Sequence, residues 1–116
     1  MTKDIDFRGK TITFTSNGAT PLFYKQFFRK DLLKIVTAGD EGLEIATENI
    51  PELAFIMAKQ ADKADMMNLR YEMYIDWLSL FEPFDLTLKA EEIFEVYAKD
   101  IMPTEEPKKK AGKAKG

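Results

Sequence analysis

Carboxylates are the only side chains in this 116-residue chain whose number and spacing suit chemistry. Glu91, Glu92 and Glu95 fall within about one helical turn of each other. Such a cluster suits a hard metal ion, which takes oxygen ligands. The plainer reading is a solvated helix face, because acidic side chains are favoured near a helix N-terminus. No Asp-x-Asp-x-Asp-Gly loop accompanies the cluster, so the plainer reading is preferred and no metal or cofactor is expected. The chain has no His and no Cys. That removes the commonest general base, the Ser-His-Asp and Cys-His nucleophile pairs, and the usual zinc sites. The two serines, Ser16 and Ser79, lack the setting of a nucleophile elbow, and the six glycines are too scattered to cradle a phosphate. No catalytic residue is assigned, and the expectation is a non-enzymatic protein.

The remaining candidates are residues that bind. Asp31 falls among apolar residues, where a carboxylate is costly unless it is paired. It is either a recognition contact or, the preferred reading, a structural cap or ion pair. Tyr24, Phe27 and Phe28 form one aromatic stripe; Tyr71, Tyr74, Trp77 and Phe81 form another. Helical spacing makes core the first expectation for both. Thirteen Phe or Tyr and one Trp are nevertheless many for so short a chain, and surplus apolar surface marks a partner. Tyr and Trp are frequent interface anchors. Tyr24, Phe27, Phe28, Asp31, Tyr74, Trp77 and Phe81 are therefore the candidate partner-binding residues.

The elements that must position them can be read along the chain. Ile5 and Phe7 alternate with Asp4 and Asp6, and Ile12 and Phe14 with threonines, around Arg8-Gly9-Lys10; this predicts a hairpin over residues 4–14. Thr20 as N-cap and Pro21 at the first helical position open a first helix through Tyr24, Phe28, Leu32 and Ile35, with Gly39 as its stop. Residues 39–48 read as an acidic connection. Thr47 or Asn49 caps a second helix, with Pro51 in its first turn and an end near Asp62. Its Leu53-Ala54-Phe55-Ile56-Met57-Ala58 run is apolar on nearly every side, which predicts a central position. A third helix is expected over Asn68 to Phe81, broken by Pro83. A fourth, capped by Asp85, carries the stripe Leu86, Ala90, Ile93, Phe94, Tyr97 and Ile101 and stops at Pro103. The fold class is mainly α: a compact bundle of about four helices behind a short N-terminal β-hairpin.

Charge separates the chain into two parts. Residues 103–116 hold five Lys and two Glu and no large apolar side chain, so they are expected to be a flexible tail. Residues 1–102, the expected domain, hold twelve basic and eighteen acidic side chains, a net −6 that disfavours nucleic acid and anionic membrane. No apolar run approaches the ~20 residues of a membrane span, and no secretory signal is seen, so a soluble, cytoplasmic protein is expected.

Together these residues resemble a known family. Ala19-Thr20-Pro21-Leu22-Phe23-Tyr24-Lys25-Gln26-Phe27-Phe28-Arg29-Lys30-Asp31-Leu32-Leu33 is similar to the first-helix motif of tail assembly chaperones from siphophages and prophages of Gram-positive bacteria. Ala54-Phe55-Ile56-Met57-Ala58-Lys59-Gln60-Ala61-Asp62 resembles the family's second helix, and Tyr74-Ile75-Asp76-Trp77-Leu78-Ser79-Leu80-Phe81 its third. Asp4-Ile5-Asp6-Phe7-Arg8-Gly9-Lys10 fits its usual start. The similarity spans residues 4–102; it departs at Arg29, where the family often has Gly, and at the end of the fourth helix.

The resemblance implies an assembly factor acting in the cytoplasm of a bacterial host. Such a chaperone binds the long, helical, apolar tape measure protein, keeps it soluble, and helps recruit tail tube protein subunits. Self-association is a further expectation. The family also implies a longer product made by programmed frameshifting, and Lys108, Lys109 and Lys110 sit where a slippery run of codons would lie. The rival reading is a small helical regulator that binds nucleic acid through the Lys-rich tail. Against it, the tail has no aromatic residue for base stacking and no helix is basic enough to read a groove.

Overall fold

The computed structural model describes residues 1–40 and 42–101. Alternation makes the first two strands, β1 (Thr2–Phe7) and β2 (Lys10–Thr15), which pair antiparallel with Phe7 opposite Lys10 and Thr2 opposite Thr15. Arg8 and Gly9 form the two-residue turn, and both have positive φ (56° and 87°), as a type I′ hairpin requires. The inner face carries Ile5, Phe7, Ile12 and Phe14, with a lysine at each of two diagonal corners. Lys3 reaches Glu92 and Glu95, each at 3.7 Å, and Lys10 Nζ donates to the Leu80 carbonyl at 2.8 Å. A lone hairpin is marginal in water; this one is held by its apolar face and by those corners.

The first helix differs from expectation at both ends. α1 (Thr20–Phe28) has Ala19, not Thr20, at its N-cap. The Thr20 hydroxyl accepts from the Asn17 N–H at 2.9 Å and donates to Gln60 Oε1 at 2.8 Å, so it ties the loop to a later helix. The helix stops eleven residues before Gly39 because Arg29 turns left-handed (φ 61°) and donates its N–H to the Lys25 carbonyl at 2.8 Å. Asp31 then starts a separate single turn, α2 (Leu32–Ile35): its carboxylate accepts from the Leu33 N–H at 3.0 Å. A short carboxylate that satisfies free N–H groups favours a new start over a continued helix.

Part of the expected acidic connection is instead a second hairpin, β3 (Thr37–Gly39) with β4 (Gly42–Glu44), Gly39 opposite Gly42. Leu43 and Ile45 alternate with polar residues there, a weak strand signal. A 3₁₀ turn (Thr47–Asn49) leads into α3 (Ile50–Ala61), with Pro51 in its first turn; Asn49 holds the N-cap position without a side-chain hydrogen bond. Every residue from Leu53 to Ala58 is buried, and α3 packs against β2, α1, α4, α5 and α6. It is the central helix its sequence predicts.

α4 (Tyr71–Leu78) is shorter than expected at both ends. Asp65 caps a 3₁₀ turn over Met66–Asn68, accepting from the Met67 N–H at 3.2 Å, and Arg70 is extended. The expected fourth helix is split into α5 (Asp85–Leu88) and α6 (Ala90–Ile101) at Lys89. Asp85 is not its cap; Phe84 is, and Asp85 is engaged elsewhere. The break lets both Leu86 and the Ile93, Val96 and Tyr97 stripe bury against the core. The fold is thus mainly helical behind an N-terminal hairpin. Among the described residues four α-helices have eight residues or more, and two are single turns.

Candidate partner-binding surface

The six aromatic candidates come together, but inward. Tyr24 and Phe28 are 5.2 Å apart by ring centroids, Phe28 and Tyr74 5.0 Å, Tyr74 and Phe55 5.1 Å, and Phe55 and Trp77 5.7 Å. Trp77 then meets Phe81 at 4.8 Å, and Phe81 meets Phe7 of the hairpin at 5.2 Å. Phe27 joins at Phe55, 5.5 Å away. The rings are tilted or edge-to-face, arrangements worth about 0.5–1.5 kcal/mol per pair beyond burial. Tyr24, Tyr74 and Trp77 are buried; Phe27, Phe28 and Phe81 are half-buried and packed against the core. Phe55, at the middle of α3, is the hub. In the sequence Phe55 is one member of an apolar run, where nothing local distinguishes a hub from its neighbours.

A polar collar closes one end of this network. The Tyr24 hydroxyl donates to Glu52 Oε1 at 2.6 Å, and Lys30 Nζ donates to both Glu52 oxygens at 3.0 Å. Burial, then the hydrogen bond to Glu52, pushes the Tyr24 hydroxyl well above the usual phenol range. Burial, then the nearby Glu52 charge, does the same to Tyr74. These groups stay neutral and structural at ordinary pH. Asp31 is half-buried and serves as the α2 cap described above, the structural role its sequence setting favoured.

The apolar side chains that do face solvent are mostly others. Of the nine large apolar side chains exposed among the described residues, five, Tyr71 (63% exposed), Ile75 (48%), Leu80 (51%), Phe84 (69%) and Leu88 (74%), fall between residues 71 and 88; the others, Met1, Leu22, Leu33 and Met67, lie elsewhere in the sequence. Tyr71 and Ile75 are neighbours one turn apart on α4, as are Phe84 and Leu88 across α5. Tyr71 lies 6.5 Å from the Phe27 ring, nearly parallel to it, so this exposed ring adjoins the ring network. The four-residue spacing of 71, 75, 84 and 88 was visible in sequence, but which face of α4 turns outward was not.

A second feature is a groove of about 400 Å³ between the second hairpin and α6. Leu43, Ile45, Ile50, Ala90 and Phe94 are its apolar lining residues, and Glu91 lies at it from α6, while the Glu44 carboxyl lies over Gly39 on the other face of the hairpin. Neither glutamate has an ion-pair partner among the described residues, whereas Glu92 is paired with Lys3 and Lys89 and Glu95 with Lys3. The acidic cluster is therefore divided, and among the described residues no group of three or more His, Cys, Asp or Glu is placed to hold a metal ion. No described helix is long and apolar enough to cross a membrane. Lys108, Lys109 and Lys110 lie outside the described residues. Comparison with protein-family models, with curated protein sequences and with solved structures finds no match.

Proposed function

We propose that this chain is a non-enzymatic phage tail assembly chaperone, which binds the tape measure protein, keeps it soluble and helps recruit tail tube subunits in the cytoplasm of the bacterial host. The observation that carries the reading is the number of exposed apolar side chains between residues 71 and 88, Tyr71, Ile75, Leu80, Phe84 and Leu88, on a body whose charge is acidic. Large exposed apolar side chains gathered in one stretch suit a partner that supplies apolar surface of its own. A long helix with repeating apolar stripes is such a partner, and helix-in-surface burial is the corresponding mode of recognition. Many copies, each binding weakly, would cover one long client, so avidity does more than the affinity of a single copy. The sequence resemblance at residues 19–33, 54–62 and 74–81 adds the identity of that client.

The test is co-expression with the tape measure protein of the same tail gene cluster, followed by affinity capture and size-exclusion chromatography. The reading expects co-elution and a client that is soluble only in the presence of this chain. An insoluble client with no co-elution overturns it. Removing residues 103–116 separates the rival reading: client binding survives truncation if the chain is a chaperone, while salt-sensitive nucleic-acid binding that disappears with the tail identifies a regulator.

A further inference from the structure

The body of the protein is acidic, yet its cations are not spread evenly over it. Residues 19–36 hold four cations and one carboxylate, a net +3, while the rest of residues 1–102 hold eight cations and seventeen carboxylates, a net −9. Lys3, Arg8, Lys30, Arg70 and Lys89 each pair with a carboxylate, whereas Lys25 and Arg29 pair with none among the described residues. Both are exposed, and with the exposed Leu22 and Gln26 they line one recess on the outer side of α1. Arg29 also keeps a left-handed backbone (φ 61°), at a cost that glycine does not carry. Arg8 has the same backbone conformation (φ 56°), and there the side chain has a use within the chain, its bond to Asp85. The Arg29 guanidinium has no such bond among the described residues, so its use lies outside the chain. Lys63 (φ 57°) is likewise without an ion pair among them, but Asp62 beside it carries the opposite charge.

We propose that the outer face of α1 is the docking site for an acidic amphipathic helix of a second partner, with an apolar side chain on Leu22 and carboxylates one turn apart meeting Lys25 and Arg29. The strip from Leu22 to Arg29 runs about 10 Å along the helix axis, the length of roughly two turns of a facing helix. Its two cations lie four residues apart, the spacing at which a facing helix repeats its side chains. The charge of the remaining surface decides the size of the occupant. A long polyanion, such as a nucleic-acid duplex or an anionic membrane, would also meet the net −9 of the rest of the body and be repelled, whereas a short acidic helix meets α1 alone. The proposal rests on the chaperone reading, in which a client and a recruited subunit are both bound, and adds to it the chemistry of the surface that the recruited subunit presents. It separates two surfaces by role: the exposed apolar side chains between residues 71 and 88 serve the client, and the basic face of α1 serves the recruited partner. Because the contact is electrostatic and exposed, it weakens as salt rises.

The experiment uses isotope-labelled full-length chain at low salt and two short helical peptides of the same pattern, one of Leu and Glu and one of Leu and Lys. Titration of the Leu/Glu peptide is expected to move the amide signals of Leu22, Lys25, Gln26 and Arg29, while the Leu/Lys peptide moves none of them. The double variant K25E/R29E is expected to weaken binding roughly tenfold or more. The variant K63E/K99E, with the same change of net charge on exposed positions elsewhere, is expected to stay within about twofold of the unaltered chain. Arg29→Gly separates recognition from structure: it is expected to weaken peptide binding by about threefold while raising the melting temperature. Equal weakening in both double variants, unchanged binding in Arg29→Gly, or no binding of the Leu/Glu peptide overturns the proposal. So does movement of the α1 signals with protein concentration alone, which makes a second copy the occupant, or on removing residues 103–116, which makes the tail the occupant. Movement of those signals by a DNA duplex or by anionic vesicles, with none by the Leu/Glu peptide, likewise overturns it. Co-expression distinguishes the two levels. If the chain keeps the tape measure protein soluble but binds no Leu/Glu peptide at α1, the α1 assignment falls and the chaperone reading stands. If it binds that peptide at α1 but no tape measure protein, the chaperone reading falls and the α1 assignment stands.

Discussion

The Arg8 guanidinium donates from Nε to Asp85 Oδ1 at 2.6 Å, joining residues 77 positions apart in the chain. The same carboxylate accepts from the Glu82 N–H at 2.9 Å, and Lys10 on the other side of the turn holds the Leu80 carbonyl and lies over the Phe81 ring at 5.9 Å. The tip of the first hairpin is thus clasped to the connection between α4 and α5, the segment that also carries the exposed Leu80 and Phe84.

The hydrogen bond from Arg8, followed by that from the Glu82 backbone, holds the Asp85 carboxyl below the ordinary aspartate range. The Arg8 guanidinium is correspondingly pushed up, first by its hydrogen bond to Asp85. A lowered carboxyl pKa gives stability that is present above the ordinary aspartate value, ~4, and is lost as pH falls through the folded-state value. Denaturant melts across a pH series should show stability falling below about pH 4, with Asp85→Asn flattening that fall. An unchanged acid limb in the variant would show that the clasp contributes nothing.

The opposite sign applies to the phenols. Tyr24 and Tyr74 are raised above the ordinary phenol value of 10.0, so their contribution is complete below that value and is lost as pH rises past it, when unfolded tyrosines ionise first. Tyr24→Phe removes one of these groups and should make the alkaline limb shallower. At neutral pH it loses the hydrogen bond to Glu52, a cost of about 1–2 kcal/mol. Thermal melts at neutral and alkaline pH read both effects.

Arg29 occupies a left-handed position that glycine takes without strain. Arg29→Gly should therefore raise stability by up to about 1 kcal/mol, with no loss of binding to the proposed client. Destabilisation would mean that the arginine side chain makes a stabilising contact.

Asp31 is tested by two substitutions. Asparagine caps as well as aspartate, so Asp31→Asn should leave the melting temperature unchanged, whereas Asp31→Ala should cost ~1 kcal/mol. If Asp31→Asn instead weakened client binding at unchanged stability, its carboxylate would be a recognition group.

Core and surface aromatics should behave differently. Trp77→Ala leaves a cavity next to Phe55 and Phe81 and should cost about 3–5 kcal/mol, enough to unfold much of a domain this small. Tyr71→Ser with Ile75→Ser removes exposed apolar surface and should leave stability within about 1 kcal/mol while weakening capture of the proposed client. If the surface pair left client capture unchanged, the exposed strip would not be the contact.

Several features were determined by sequence alone, because their causes are local. The first hairpin follows from period-2 alternation around a Gly-containing turn, and the central α3 from a run that is apolar on all sides. Burial of Tyr24, Tyr74 and Trp77 follows from helical spacing. The acidic body and basic tail follow from counting. Other features depended on competition between segments distant in sequence. Whether residues 20–39 form one helix turned on whether Asp31 would accept the Leu33 N–H, and the apolar period is the same either way. Asp85 left its expected cap because Arg8, brought near only by the fold, offers a charged donor. The outward turn of Tyr71 and Ile75, and the groove shared by Leu43 and Phe94, exist only once α3 has set the places of α4 and α6. A side chain's identity limits what it can bind, but its access to a partner depends on what the rest of the chain packs against it.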